Sequence, residues 1–160
     1  MQGLYEDQGV RFMYPHSWEL EESEDGSRSL MTVSEPGGTA FAMIALDTAC
    51  PAPADVADEA LDSLKADYPE LDLYPAIEEI GEFHAVGHDV EFFSFDFLNI
   101  CAIRSFRTPR RTVLFLTQWC ETVDGERMER IFAAIRKSFE ETDAEHEPGA
   151  RPAAGDDDDE

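Results

Sequence analysis

The segment from residue 88 to residue 119 constrains this chain most. It reads as three β segments, 88–97, 99–106 and 112–119, with the second and third joined at Thr108-Pro109-Arg110-Arg111. Alternate residues of a strand point to opposite sides. Taking Arg107 and Thr112 as the last pair before the turn sets Phe106 beside Val113, Arg104 beside Phe115 and Ile100 beside Trp119. The other face then carries Ile103 beside Leu116 and Ser105 beside Leu114. Both faces are largely apolar, whereas a sheet with one wet face would alternate apolar with polar. Phe92, Phe93, Phe95 and Phe97 repeat the pattern in the strand before. The short links make the strands antiparallel, and the apolar faces call for cover on both sides, by helices or another layer. A slip of one residue would exchange the faces.

The flanking sequence supplies further elements. Residues 5–8 form a short polar lead, and 10–14 alternate, with Val10, Phe12 and Tyr14 on one side. Pro15 ends that strand, since it lacks an N–H and biases its predecessor to an extended form. Strands follow at 18–22, 29–34 and 40–46, separated by turn signals at 23–27 and at Glu35-Pro36-Gly37-Gly38. The spacing predicts a helix over 54–68 with Val56, Ala57, Ala60, Leu61, Leu64 and Tyr68 in its apolar stripe, stopped by Pro69. A strand at 73–80 turns at Gly81-Glu82 into the strand that runs to residue 97. Asp124 is a good N-cap for a closing helix over 125–139, whose apolar face is Met128, Ile131, Phe132, Ile135 and Phe139. The expected fold is α+β: a largely antiparallel sheet flanked by helices, an α/β/α sandwich. It occupies a single domain over residues 1–140. Residues 141–160, rich in Glu, Asp, Pro, Gly and Ala, cannot bury enough apolar surface to offset their ordering entropy, and are expected to form a disordered acidic tail.

Charge bounds the partners. Among 160 residues, 36 are acidic and 12 basic, a formal net charge of −24. Only Lys65 and Lys137 are lysines. Acidic excess with lysine scarcity resembles proteins from extreme halophiles that keep molar salt inside the cell. At about 1 M salt the Debye length falls to about 3 Å, which screens repulsion between surface carboxylates. The rival reading is an acidic inhibitor or chaperone of a basic protein, but the carboxylates are spread from Glu6 to Glu160. Binding to nucleic-acid phosphates is disfavoured either way. No segment reads as a membrane span or a secretory signal. Cys50, Cys101 and Cys120, widely spaced, read as thiols in a reducing, cytoplasmic compartment. Large net charge favours a monomer or a weak dimer.

The segment Gly9-Val10-Arg11-Phe12-Met13-Tyr14-Pro15-His16-Ser17-Trp18 resembles the opening of the PsbP/Mog1-like superfamily. The order afterwards is also similar: a strand meander, one helix, a further meander, and a closing helix ending Ile135-Arg136-Lys137-Ser138-Phe139. The resemblance covers about residues 5–139 and implies an antiparallel sheet sandwiched between helices. It implies a non-enzymatic binding or assembly-accessory role, with a protein as partner. No lipobox cysteine of the lipoprotein members is present near the start, and no photosystem or Ran-binding surface is matched. Fold likeness alone is a weak warrant for function.

No catalytic, cofactor-binding or metal-ligating set emerges. His84 and His88 would share a helix face, but on a strand they lie about 13 Å apart, too far for one zinc ion. No G-x-S-x-G elbow surrounds a serine, and Gly37-Gly38 lacks the lysine of a phosphate loop. The local exception to acidity is Arg104, Arg107, Arg110 and Arg111 around one turn. Arg107, Arg110 and Arg111 are the candidate partner-binding residues, since Arg forms forked bonds to carboxylates. The plainer alternative is internal pairing, Arg104 with Glu91 and the tip arginines with the acidic tail. Trp18 and Trp119 read as core. A small enzyme with dispersed site residues remains the alternative to a binding module. Solvent adaptation predicts that dialysis from molar salt into dilute buffer unfolds the chain, as followed by circular dichroism. A fold that survives there intact would contradict it.

Overall fold

The computed structural model describes residues 3–121 and 125–143. The expected N-cap Asp124 lies outside the described residues, as do residues 144–160 of the acidic tail expected over 141–160. Strand β1 (Gly3–Asp7) pairs antiparallel with β2 (Val10–Tyr14). Strands β3 (Glu19–Asp25), β4 (Arg28–Ser34) and β5 (Phe41–Asp47) form a meander, and helix α1 (Pro53–Asp67) follows. A second meander comprises β6 (Asp72–Ile80), β7 (Phe83–Ser94), β8 (Phe97–Arg107) and β9 (Thr112–Cys120). Helix α2 (Gly125–Lys137) and the two-residue β10 (Glu140–Glu141) close the described chain.

Two antiparallel sheets result. The larger has seven strands in the order β3-β4-β5-β9-β8-β7-β6, and the smaller has three in the order β1-β2-β10. The β8–β9 register pairs Arg107 with Thr112, Arg104 with Phe115 and Ile100 with Trp119, as the apolar pattern required. Helix α1 has Pro at its start, where a missing N–H costs nothing, and Asp55 in its first turn. It buries Ala57 and Leu61 against Ala45, Val90, Phe92, Cys101, Ile103 and Leu114. Helix α2 carries Glu126 in its first turn and Arg136 and Lys137 in its last, matching the helix dipole. It buries Met128, Phe132 and Ile135 on the opposite face, among Ile44, Phe106 and Phe115. The small sheet completes that layer with Val10 and Phe12. Phe139 meets Phe106 and Phe115 edge to face, with ring centroids 5.7 and 5.5 Å away.

Three local expectations need correction. The polar lead is a strand, because β2 offers it a complete edge over Gly3–Asp7. The turn between β3 and β4 is confined to Gly26-Ser27, so β3 runs on to Asp25. The largest correction concerns the aromatic run. Phe92 is buried at 2% exposure, but Phe93, Phe95 and Phe97 are 70%, 93% and 51% exposed. The chain reverses at Phe95-Asp96, earlier than expected, and the end of this hairpin has no covering layer among the described residues.

The middle of β7 is specialised. Gly87 lies opposite Arg104 of β8, and a Cβ there would sit 1.8 Å from the Ile103 carbonyl oxygen. Only glycine permits so close an approach of the two backbones. Gly87→Ala is expected to cost about 2–3 kcal/mol by forcing the strands apart, read as a lower unfolding midpoint in urea at molar salt. An unchanged midpoint would show that the strands yield freely.

Candidate functional site

The arginine turn is the first place to look. Thr108 organises it. Its Oγ accepts from the Arg110 and Arg111 backbone N–H groups at 3.1 and 3.2 Å and donates to Glu141 Oε2 at 2.6 Å. Arg111 is buried, 4% exposed, and its guanidinium spans Glu141 and Asp143. Arg110 lies 3.7 Å from each of the same two carboxylates. Arg107 is exposed and donates to the Cys50 carbonyl at 3.3 Å. The turn thus fastens the segment that follows α2.

Arg104 contacts Glu78 and Asp89 rather than the expected Glu91. Its Nε donates to Glu78 Oε1 at 2.9 Å, and its Nη2 lies 2.8 Å from Asp89 Oδ1. Reaching Glu78 requires crossing β7, and the side chains in the way are only Gly87 and Ala85. Arg136 of α2 donates through Nε to Glu78 Oε2 at 2.9 Å. One carboxylate therefore ties β6 to β8 and to α2. Burial alone would raise the Glu78 pKa, but Arg136 and then Arg104 outweigh it and hold the carboxyl below the usual value. Arg104 and Arg136 floor a groove of about 350 Å³ between α2 and the sheet, walled by Leu98, Ile100, Trp119 and Phe132. Trp119 and Trp18 are both core, each packed on Phe132 with ring centroids 5.5 and 5.8 Å away.

The exposed aromatic hairpin is the second place. Phe93 pairs with Leu98 on the α2 side of the sheet, and Phe97 pairs with Ser94 on the α1 side. Phe95 stands at the tip. It has φ +53° and Asp96 has φ +66°, left-handed positions that a two-residue hairpin normally gives to Asn or Gly. The finger carries an exposed aromatic ring on each face and a third at its end, beside Asp96. Among the described residues, six of the eight exposed large hydrophobic side chains are Leu73, Tyr74, Ile77, Phe93, Phe95 and Phe97, on β6 and this hairpin. Beside the finger, at its base, is a cleft of about 640 Å³ lined by residues 67–72 and 91–93.

The remaining candidates are dispersed. His84 Nδ1 lies 2.5 Å from Glu79 Oε2, and His88 Nε2 lies 3.2 Å from Asp58 Oδ1 of α1. The Cys101 thiol is buried between the sheet and α1. Burial, reinforced by Asp89 and partly offset by Arg104, pushes it up to about 12. Among the described residues no helix is long and apolar enough to cross a membrane.

No protein-family model matches the chain, and no curated protein matches its sequence. Solved structures do match in fold. The solution structure of cyanobacterial PsbP (CyanoP) from Synechocystis sp. PCC 6803 superposes with a TM-score of 0.63 at 11% identity, over 86% of this chain and 91% of that one. LpqN, involved in cell envelope biogenesis of Mycobacterium tuberculosis, superposes with a TM-score of 0.55 at 15% identity, over 83% and 84% of the two chains. A protein from Bacteroides thetaiotaomicron gives a TM-score of 0.56 at 15% identity over 88% of this chain, which spans 49% of that one. At these identities the likeness shows the fold alone, and that fold is PsbP-like.

The shared carboxylate generates a prediction. Glu78→Gln leaves Arg104 with Asp89 and removes the charge opposite Arg136, at a cost of about 3 kcal/mol near neutral pH. Because the folded-state pKa is depressed, the stabilisation from Glu78 is present above the ordinary value of 4.5 and is lost as pH falls through the folded-state value. The stability gap between wild type and Glu78→Gln should therefore narrow below about pH 4.5. Urea titrations across pH read it, and a gap that widens with acid would contradict the pairing.

Proposed function

We propose that this PsbP-like domain is a non-enzymatic binding or assembly-accessory module, acting on a protein partner in the cytoplasm of a halophile. The observation that carries the reading is the uncovered finger of Phe93, Phe95 and Phe97. A contiguous apolar feature left in water on a monomer marks an interaction site, and aromatic side chains are the residues most enriched at the centre of such contacts. The finger also carries a backbone cost. A bulky residue at positive φ is disfavoured by about 1–2 kcal/mol, and retention of Phe95 in that position is consistent with a use for its ring. The arginine turn supports the reading less, because Arg110 and Arg111 already meet Glu141 and Asp143. Arg107 is the one of the three whose side chain is exposed.

Phe95→Asn separates function from folding. It supplies a residue suited to the turn, so the folded state should gain about 1 kcal/mol, while the finger loses its terminal ring. Affinity capture at molar salt from cells that make the protein should retain a defined partner on wild type and lose it on Phe95→Asn. Unchanged capture by the more stable variant would remove the finger from the binding surface.

A further inference from the structure

We propose that the cleft at the base of the finger takes an extended, lysine- or arginine-bearing segment of the partner protein, added as a strand beside β7. The inference rests on the binding reading above and names the chemistry of what binds.

Three observations converge on this cleft. The first is an open strand edge. Strand β6 begins at Asp72, opposite Glu91. The next three residues of β7, Phe92, Phe93 and Ser94, pair with β8 on one side and have no strand on the other among the described residues. An extended segment can add to such an edge through its backbone, with side-chain pockets giving specificity. The opposite edge of the sheet, β3, is protected by Glu19, Glu21, Glu22, Glu24 and Asp25, the usual way of blunting an edge.

The second is an apolar floor. Tyr68 and Phe92 stack on the α1 side with ring centroids 4.1 Å apart, and exposed Phe93 lines the same cleft from the other face of the strand. The cleft volume of about 640 Å³ falls within the roughly 300–1,000 Å³ of sites that hold small ligands or side chains.

The third is charge. Asp67, Glu70, Asp72 and Glu91 line the cleft, and among the described residues no basic side chain does. Five carboxylates elsewhere, Glu78, Asp89, Glu140, Glu141 and Asp143, do meet arginines of the chain. The C-terminal end of α1, at Asp67, adds the negative end of a helix dipole to the same place. Aromatic faces and carboxylates together suit a cation with an aliphatic stem, which covers the rings while its head meets the oxygens. Two other occupants bring the wrong sign. A second copy meeting this one isologously would oppose the same four carboxylates to themselves. The chain's own terminus, Asp156-Asp157-Asp158-Asp159-Glu160, is wholly acidic.

The test uses the full chain in 1 M NaCl, where loose charge attraction is screened. Fluorescein-labelled twelve-residue peptides alternating valine with lysine, glutamine or glutamate are titrated and followed by anisotropy. The lysine peptide should bind about ten-fold or more tightly than the glutamine peptide, and the glutamate peptide weakest. Phe93→Ser should weaken all three. Glu70→Gln combined with Glu91→Gln should abolish the lysine preference, and Glu19→Gln with Glu21→Gln on β3 should keep it. Equal binding of the lysine and glutamine peptides would overturn the proposal. Equal losses from the cleft and β3 variants would do the same, since net charge alone would then be responsible. A dimer in sedimentation, or uptake by phosphatidylcholine vesicles, that Phe93→Ser abolishes would put a second copy or a lipid in the cleft instead. Partner capture that depends on Phe95 but not on Glu70 and Glu91 would keep the binding surface and reject the basic segment. Capture that ignores all three would reject both.

Discussion

The strands of the central hairpin are longer than the layers that cover them. Twelve residues of β7 extend about 40 Å at about 3.4 Å each. The fifteen residues of α1 and thirteen of α2 span only about 22 and 20 Å at 1.5 Å each. Cover is therefore complete over the middle of β8 and β9, where Cys101, Ile103, Phe106 and Phe115 are at most 2% exposed. It cannot also reach the far end, and the hairpin emerges from its own core as a finger. Stability and the candidate surface are two consequences of that mismatch in length.

The same strands solve a second problem, the fastening of a wide sheet to one helix on each side. Apolar contact holds α1 and α2 over β5, β9 and β8, but β6 lies at the sheet's edge, beyond most of the α2 layer. A small trough at Ala85 and Gly87 lets Arg104 reach across β7 to Glu78, and Arg136 comes down from α2 to the other oxygen. Arg111 does the corresponding work at the opposite end, where Glu141 and Asp143 bring the chain back beside β2. In a chain of net charge −24, these few arginines are used where a carboxylate must be brought inside the structure.

Much of this was legible in the sequence, and the reason differs by element. The β8–β9 register followed from period-two alternation anchored at a Pro-Arg-Arg turn. Helix α2 followed from Met128, Phe132, Ile135 and Phe139 at three-four spacing, which no strand could bury on one side. The Phe95-Asp96 reversal was not legible, because neither residue signals a left-handed turn. The aromatic run Phe92, Phe93, Phe95 and Phe97 accordingly reads as core. Phe93, Phe95 and Phe97 differ from Phe92 only in where the covering helix stops, which local pattern does not encode. Gly87 gave no signal of the crossing it permits, and Arg104 points by sequence to Glu91 on the neighbouring strand, although Glu91 stands opposite Ile100, four residues along, and reach across an intervening strand depends on side-chain size there. The acidic cleft was hidden by abundance. With 36 carboxylates in the chain, only coordinates single out the four that line one hollow.

Hydroxyl-radical footprinting of the folded chain in molar salt measures side-chain access to solvent directly. It compares one residue type, phenylalanine, along one hairpin. Phe93, Phe95 and Phe97 should oxidise at rates near those of the unfolded chain, and Phe92, Phe106 and Phe115 should be strongly protected. Protection of Phe93 and Phe95 equal to that of Phe106 would contradict the account, because the finger would then lie under cover and the surface built on it would not exist.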